Sequence, residues 1–208
     1  NHDFRVNYLF SIQILIMNLN LFSPLSLRDI TLKNRIVVSP MCQYSAKDGF
    51  PNDWHFVHLG SRAVGGAALI FTEAAAVSPE GRISPADLGI WKDAHIPALK
   101  RITHFILQQG SVPGIQLAHA GRKASFPAPW TGTNLLTADA GGWQTIAPSS
   151  IPFNEKYAMP NSMSVEAIEQ LIQDFAHAAQ RALAAGFKVI EIHAAHGYLI
   201  HEFQIGRA

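Results

Sequence analysis

The chain has 208 residues, with 16 basic side chains against 15 acidic ones and a net charge of +1. That balance offers no electrostatic attraction to nucleic acid or to an anionic membrane and points to a small-molecule substrate. With 48% apolar residues the chain can bury a core, as one domain or as part of a larger one, and its single cysteine, Cys42, excludes an intrachain disulfide framework and fits a reducing, cytoplasmic compartment.

Residues 1–16 contain the apolar run "YLFSIQILI" after Arg5. It lacks a small-residue cleavage site and is far shorter than the roughly 20 apolar residues that span a bilayer. We expect this segment to be upstream or extraneous sequence, with organised structure over 17–208. "RIVVSPM" (Arg35 to Met41) predicts a short buried strand, and a helix follows from about Asp53 to Val64, closed by Gly65 and Gly66. "AALIFTEAAAV" (Ala67 to Val77) predicts a second strand. A helix with Ile96, Leu99, Ile102, Phe105 and Ile106 at helical spacing ends at Gly110. "VPGIQLAHA" (Val112 to Ala120) is a third strand. The stretch from Gly121 to Met163 is rich in Gly, Pro, Ser, Thr and Ala and too long for an ordinary connection, so it is functional or excursive. Ser164 caps a further helix with Val165, Ile168, Leu171, Ile172, Phe175 and Ala179 as its apolar stripe, stopped by Gly186. "VIEIHAAHGYLIHEF" (Val189 to Phe203) opens as a fourth strand.

Four strand-then-helix alternations argue for parallel strands, and their near-continuous apolar character argues that both faces are covered. In a (β/α)₈ barrel and in a doubly wound sheet alike, functional groups gather at the carboxyl ends of the strands. The polar residues stand there: Ser39 to Tyr44, Thr72 and Glu73, Gln116 and His119, then His193, His196 and Tyr198. No glycine-rich phosphate fingerprint follows the first strand, which favours the barrel.

The residues alone leave several chemistries open. His193 and His196 are as consistent with structural roles or a metal pair as with catalysis, so a zinc- or iron-dependent barrel hydrolase is an alternative, although no carboxylate is obviously placed to complete its site. Cys42 alone reads as a small buried apolar residue. His119, Arg122 and His201 read as packing, loop-anchoring or surface groups.

Taken together, "ITLKNRIVVSPMCQYSAKDG", "EAAAVSPEGRIS", "DLGIW", "GIQLAHAGRKA" and "GFKVIEIHAAHGYLIHEF" resemble the Old Yellow Enzyme family of FMN ene-reductases. The resemblance runs from about Leu21 to Phe203 and is nearest the bacterial, thermophilic-like class whose first strand ends in a cysteine. It implies an FMN-binding TIM barrel of which 17–208 is the N-terminal half, with NADPH as electron donor and an enone, nitro compound or quinone as acceptor. It further implies that Ser39, Pro40, Met41 and Cys42 line the flavin and that Ala74 and Gln116 meet its pyrimidine side. His193 and His196 would hold the substrate oxygen with help from Tyr44, and Tyr198 would donate the proton. Full-length relatives are expected to be homo-oligomers. Four strands are half of such a barrel, which needs about 250 residues, and after Phe203 the chain reads "QIGRA". The resemblance therefore also raises the expectation of a non-catalytic fragment lacking the flavin's phosphate site.

Overall fold

The computed structural model describes residues 20–132 and 135–205; the segment 1–16 lies outside them. β1 (Leu25–Leu27) and β2 (Ile30–Leu32) pair as an antiparallel hairpin. Its Leu32 packs on Leu69 and Phe71, with Val112 and Val189 against the same cluster. Leu69, Val112 and Val189 each begin a parallel strand, so the hairpin covers the amino-terminal end of the sheet. The sequence pattern does not announce it, because three-residue strands are too short to show alternation.

β3 (Val37–Val38) leads through irregular backbone into α1 (Asp53–Val64), β4 (Leu69–Ala76), α2 (Ile96–Gln108) and β5 (Val112–Ala118). The long connection then contributes a two-residue parallel pair, β6 (Ile146–Ala147) and β7 (Asn161–Ser162), before α3 (Val165–Ala184), β8 (Val189–Ile192) and α4 (Leu199–Gln204). The main sheet has the order β3-β4-β5-β8, parallel throughout. The first strand is shorter than the expected 35–41. It pairs with β4 alone, and Pro40 has no N–H to extend a ladder. The fourth expected element divides into strand, loop and helix, and His201 stands inside α4 with Nδ1 accepting from Gly197 N–H at 2.8 Å.

The helices cover one face of the sheet. Leu59, Ala63, Ile102 and Ile106 close over Ile70, and Leu99, Leu171 and Ala178 pack with Ile115 and Leu117. The starts of α1, α2 and α3 have local causes. Asn52 and His55 form a reciprocal capping box for α1, Pro97 occupies the first turn of α2, and Ser164 Oγ accepts from Ala167 N–H at 3.2 Å. The α3 stripe differs from the expected one: Val165 and Ile172 are exposed, while Leu171, Ala178 and Ala182 are buried. Small alanines let this helix lie close to the sheet. Gly114 serves close approach in the other direction, since a Cβ there would stand 2.7 Å from the Phe71 ring.

Candidate active site at the carboxyl ends of the strands

Ile115 and Leu117 face the helices, so alternation turns Gln116 to the opposite, concave face. There it stands in one register row with Ala74 and Glu191, and its Nε2 donates to Glu191 Oε1 at 2.5 Å. That bond fixes the amide and leaves its carbonyl oxygen and second N–H for other partners. Ala74 reaches this row because β4 carries one residue more than β5 between the pairs Phe71–Gly114 and Ala74–Gln116. Without the bulge Glu73 would face Glu191 across the row, two carboxylates on one surface. With it, Glu73 turns toward α1, as bulges beside functional sites commonly re-aim a side chain.

Buried Glu73 then anchors the loop after β3. Its Oε2 accepts from Gln43 N–H at 3.0 Å, and its Oε1 lies 3.0 Å from His55 Nε2. The latter contact is off the line of a hydrogen bond, so neither atom has a directed partner. His55 Nδ1 accepts from Asn52 N–H at 3.1 Å, which puts the imidazole proton on the nitrogen nearest Glu73. Through Gln43 this pair fixes the loop carrying Cys42 and Tyr44. Burial, followed by the charges of Asp87 and Glu73, pushes the Cys42 thiol up to about 12, so it is a neutral S–H at physiological pH. Ser39 and Met41 are exposed, Pro40 and Cys42 half-buried.

On the other side, His193 continues from β8 with its N–H donated to Leu117 O at 2.9 Å. Its Nδ1 accepts from Ala195 N–H at 3.3 Å, leaving the proton on Nε2. Burial, then the neighbouring His196, lowers its pKa and keeps the ring neutral. His196 holds a left-handed backbone, φ +58°, which re-aims the chain after the strand. The His193 and His196 rings meet edge to face at 5.2 Å, and Tyr198 meets His193 likewise at 4.9 Å. Burial, then Cys42, pushes the Tyr198 phenol up to about 12. The same cause, burial first, raises Tyr44.

Tyr44 and Tyr198 line one cavity of about 350 Å³ with Lys123, Phe126 and Tyr157. Of the expected site residues the structure thus places Tyr44 and Tyr198 on that cavity, while Cys42 is hydrogen-bonded to Tyr44 and His193 meets the Tyr198 and His196 rings without lining it. Sequence reasoning places Glu73 at a strand end but misses its anchoring role, and it misses Lys123 and Tyr157 altogether. Glu73 offers a visible sign, a carboxylate inside the apolar run "LIFTEAAA". Lys123 and Tyr157 offer none, because they enter through the long loop. Among the described residues no three His, Cys, Asp or Glu side chains are grouped to hold a metal ion, and no helix is long and apolar enough to cross a membrane.

Residues 20–207 match the sequence model of the NADH:flavin oxidoreductase / NADH oxidase family. The chain belongs to that family. It is 53% identical over 185 residues to an NADPH dehydrogenase of Listeria monocytogenes, covering 88% of this chain and 50% of the relative. The chain spans about half the length of the curated relatives it matches. Among solved structures, an Old Yellow Enzyme homologue from Zymomonas mobilis superposes with a TM-score of 0.75 at 32% identity, over 88% of this chain and 51% of that one. Morphinone reductase in complex with tetrahydroNAD superposes with a TM-score of 0.73 at 29% identity, over 88% and 51%. Family membership makes the four-stranded sheet a partial (β/α)₈ barrel.

Proposed function

We propose that this chain supplies the N-terminal half of the catalytic barrel of an FMN-dependent NADPH dehydrogenase that reduces activated C=C bonds of enones, or related nitro and quinone acceptors. The observation that carries the reading is the contact of the His193 ring with both His196 and Tyr198, a tyrosine that shares one cavity with Tyr44. The residues fit a flavin. Ala74 presents no bulk, Gln116 retains a donor and an acceptor suited to a pyrimidine edge, and Ser39, Pro40, Met41 and Cys42 offer a shelf of irregular backbone.

When bound, FMN supplies hydride transfer, from NADPH and then to the acceptor's β-carbon. The chain's own residues do the rest. His193 Nε2–H and the adjacent His196 stand where donors would meet the acceptor's oxygen as negative charge builds on it. Tyr198 stays protonated at neutral pH and is therefore available as the general acid at the α-carbon. Tyr44, from the opposite wall, assists at the oxygen. Cys42 presents a neutral thiol at the shelf, where it modulates the flavin's surroundings without adding charge. The single cysteine supports a cytoplasmic setting.

The test is the double variant His193→Ala, His196→Ala in the flavin-loaded protein, with this chain joined to the last four βα units of a relative. Phenolic ligands should bind at least about a hundredfold more weakly, as two charge-assisted hydrogen bonds are lost, with the long-wavelength charge-transfer band lost and FMN retained. Phenol binding that survives both substitutions would sink the assignment.

A further inference from the structure

The cavity walls are aromatic and aliphatic except at one point. Of the residues lining it, Tyr44, Ile83, Phe126, Pro127, Pro129 and Tyr157 among them, Lys123 alone carries a formal charge. One proton of its ammonium is donated to His196 O at 3.0 Å, and the group lies 4.6 Å from the Phe153 ring centroid and 4.7 Å from that of Tyr198. These contacts hold the cation without neutralising it. Among the described residues no ion pair involves Lys123. The carboxylate behind it, Glu202, is wholly buried, accepts from Arg122 N–H at 3.1 Å and is pushed by burial up to about 7. Arg122 adds a second positive charge on that side.

The cation is also held in place by its backbone. Lys123 ends the 3₁₀ turn Gly121–Lys123, whose first N–H is accepted by His119 Nδ1 at 3.0 Å and whose second by Glu202. Gly121 has φ +58°, and a Cβ there would meet Glu202 Oε1 at 2.3 Å, so the turn is pressed onto α4. An ammonium so placed, partly desolvated and unpaired, is a preorganised site for an anion.

We propose that Lys123 forms a carboxylate subsite, and that the cavity prefers ring acceptors bearing a carboxylate away from the oxygen held by His193 and His196. This rests on the functional reading above. Binding of such a substrate supplies a direct ion-pair partner on the cavity side, where Glu202 acts on the ammonium only as a nearby charge without contact, while an uncharged ring gains only the aromatic contacts.

The experiment compares two probes of the same shape, 4-hydroxybenzoate and 4-hydroxybenzamide, titrated into the flavin-loaded protein at low salt and followed by the charge-transfer band. The benzoate should bind at least about tenfold more tightly, the yield of one charge-assisted hydrogen bond. Lys123→Met should abolish that difference and Lys123→Arg should retain it. Because both probes share any disturbance that loss of the His196 carbonyl contact causes, the ratio reports the charge alone. Equal affinities in the unsubstituted protein, or a preference that survives Lys123→Met, overturn the subsite and leave the functional reading standing. A completed barrel, this chain joined to the last four βα units of a relative, that takes up no flavin, or whose flavin spectrum is unmoved by either probe, overturns the functional reading and the subsite with it.

Discussion

Cys42 shows how a tertiary environment sets the chemistry of one side chain. A free thiol ionises appreciably near neutral pH and reacts as the thiolate. Here burial, with the Asp87 and Glu73 charges next, holds the proton on sulfur up to about pH 12. Alkylation by iodoacetamide, which is specific because the chain has one cysteine, should therefore be slow at pH 8. It should climb through pH 10 and above without levelling near the ordinary thiol value of about 8.5. A rate plateau at pH 9, read by mass spectrometry, would contradict this environment. Cys42→Ala should alter the FMN potential with a modest loss of stability, because little volume is removed.

At the scale of elements, one extra residue in β4 organises much of the site. The bulge brings Ala74 into the Gln116 row and sends Glu73 to the junction with α1, where it pins the loop of Cys42 and Tyr44 through Gln43 N–H. Glu73→Ala leaves the Gln43 N–H without its acceptor and removes the buried carboxylate beside His55, and should cost about 2–3 kcal/mol. Asn52→Ala removes the N-cap side chain that accepts from Trp54 N–H but keeps the backbone N–H bonded to His55, and should cost about 1 kcal/mol. Chemical unfolding of the two variants checks the ranking, and equal small losses would show that Glu73 is not the anchor. The bulge was not legible in the sequence. "LIFTEAAA" reads as a continuous buried strand, and only pairing with β5 reveals that Glu73 and Ala74 do not follow simple alternation.

For the whole molecule, the open edges matter most. Among the described residues β3 and β8 each pair on one side only, and Val37 and Ile192 at these edges are 45% and 57% exposed. Unpaired parallel edges of this kind recruit further strands. In barrels of this type the phosphate site is frequently built by loops after the seventh and eighth strands, and three charge-assisted hydrogen bonds of about 1.5–3 kcal/mol each are worth roughly a thousandfold or more in affinity. A polypeptide of residues 1–208 expressed alone should therefore self-associate and purify without flavin colour. The same residues joined to the last four βα units of a relative should give a yellow protein that oxidises NADPH with 2-cyclohexenone. Size-exclusion chromatography and a flavin spectrum on both forms decide it. A yellow, active short form would show that another arrangement of this chain completes the barrel.

The order of strands and helices, the caps at Asn52 and Ser164, and the gathering of polar residues at strand ends are local or periodic properties. They depend on neighbours a few positions away, so the sequence alone determined them, together with the motifs that carry the family resemblance. Which residues meet across the sheet depends on register and loop path, and those were settled by tertiary packing. The hairpin of β1 and β2 exists because Leu32 finds Leu69 and Phe71. Glu73 faces α1 because of a bulge that only β5 exposes, and Lys123 joins His196 and Tyr198 because Glu202, far along the chain, draws its turn onto α4. The charge that gives the cavity its selectivity is thus placed by contacts between residues roughly 70 to 80 positions apart, a distance at which periodicity carries no information.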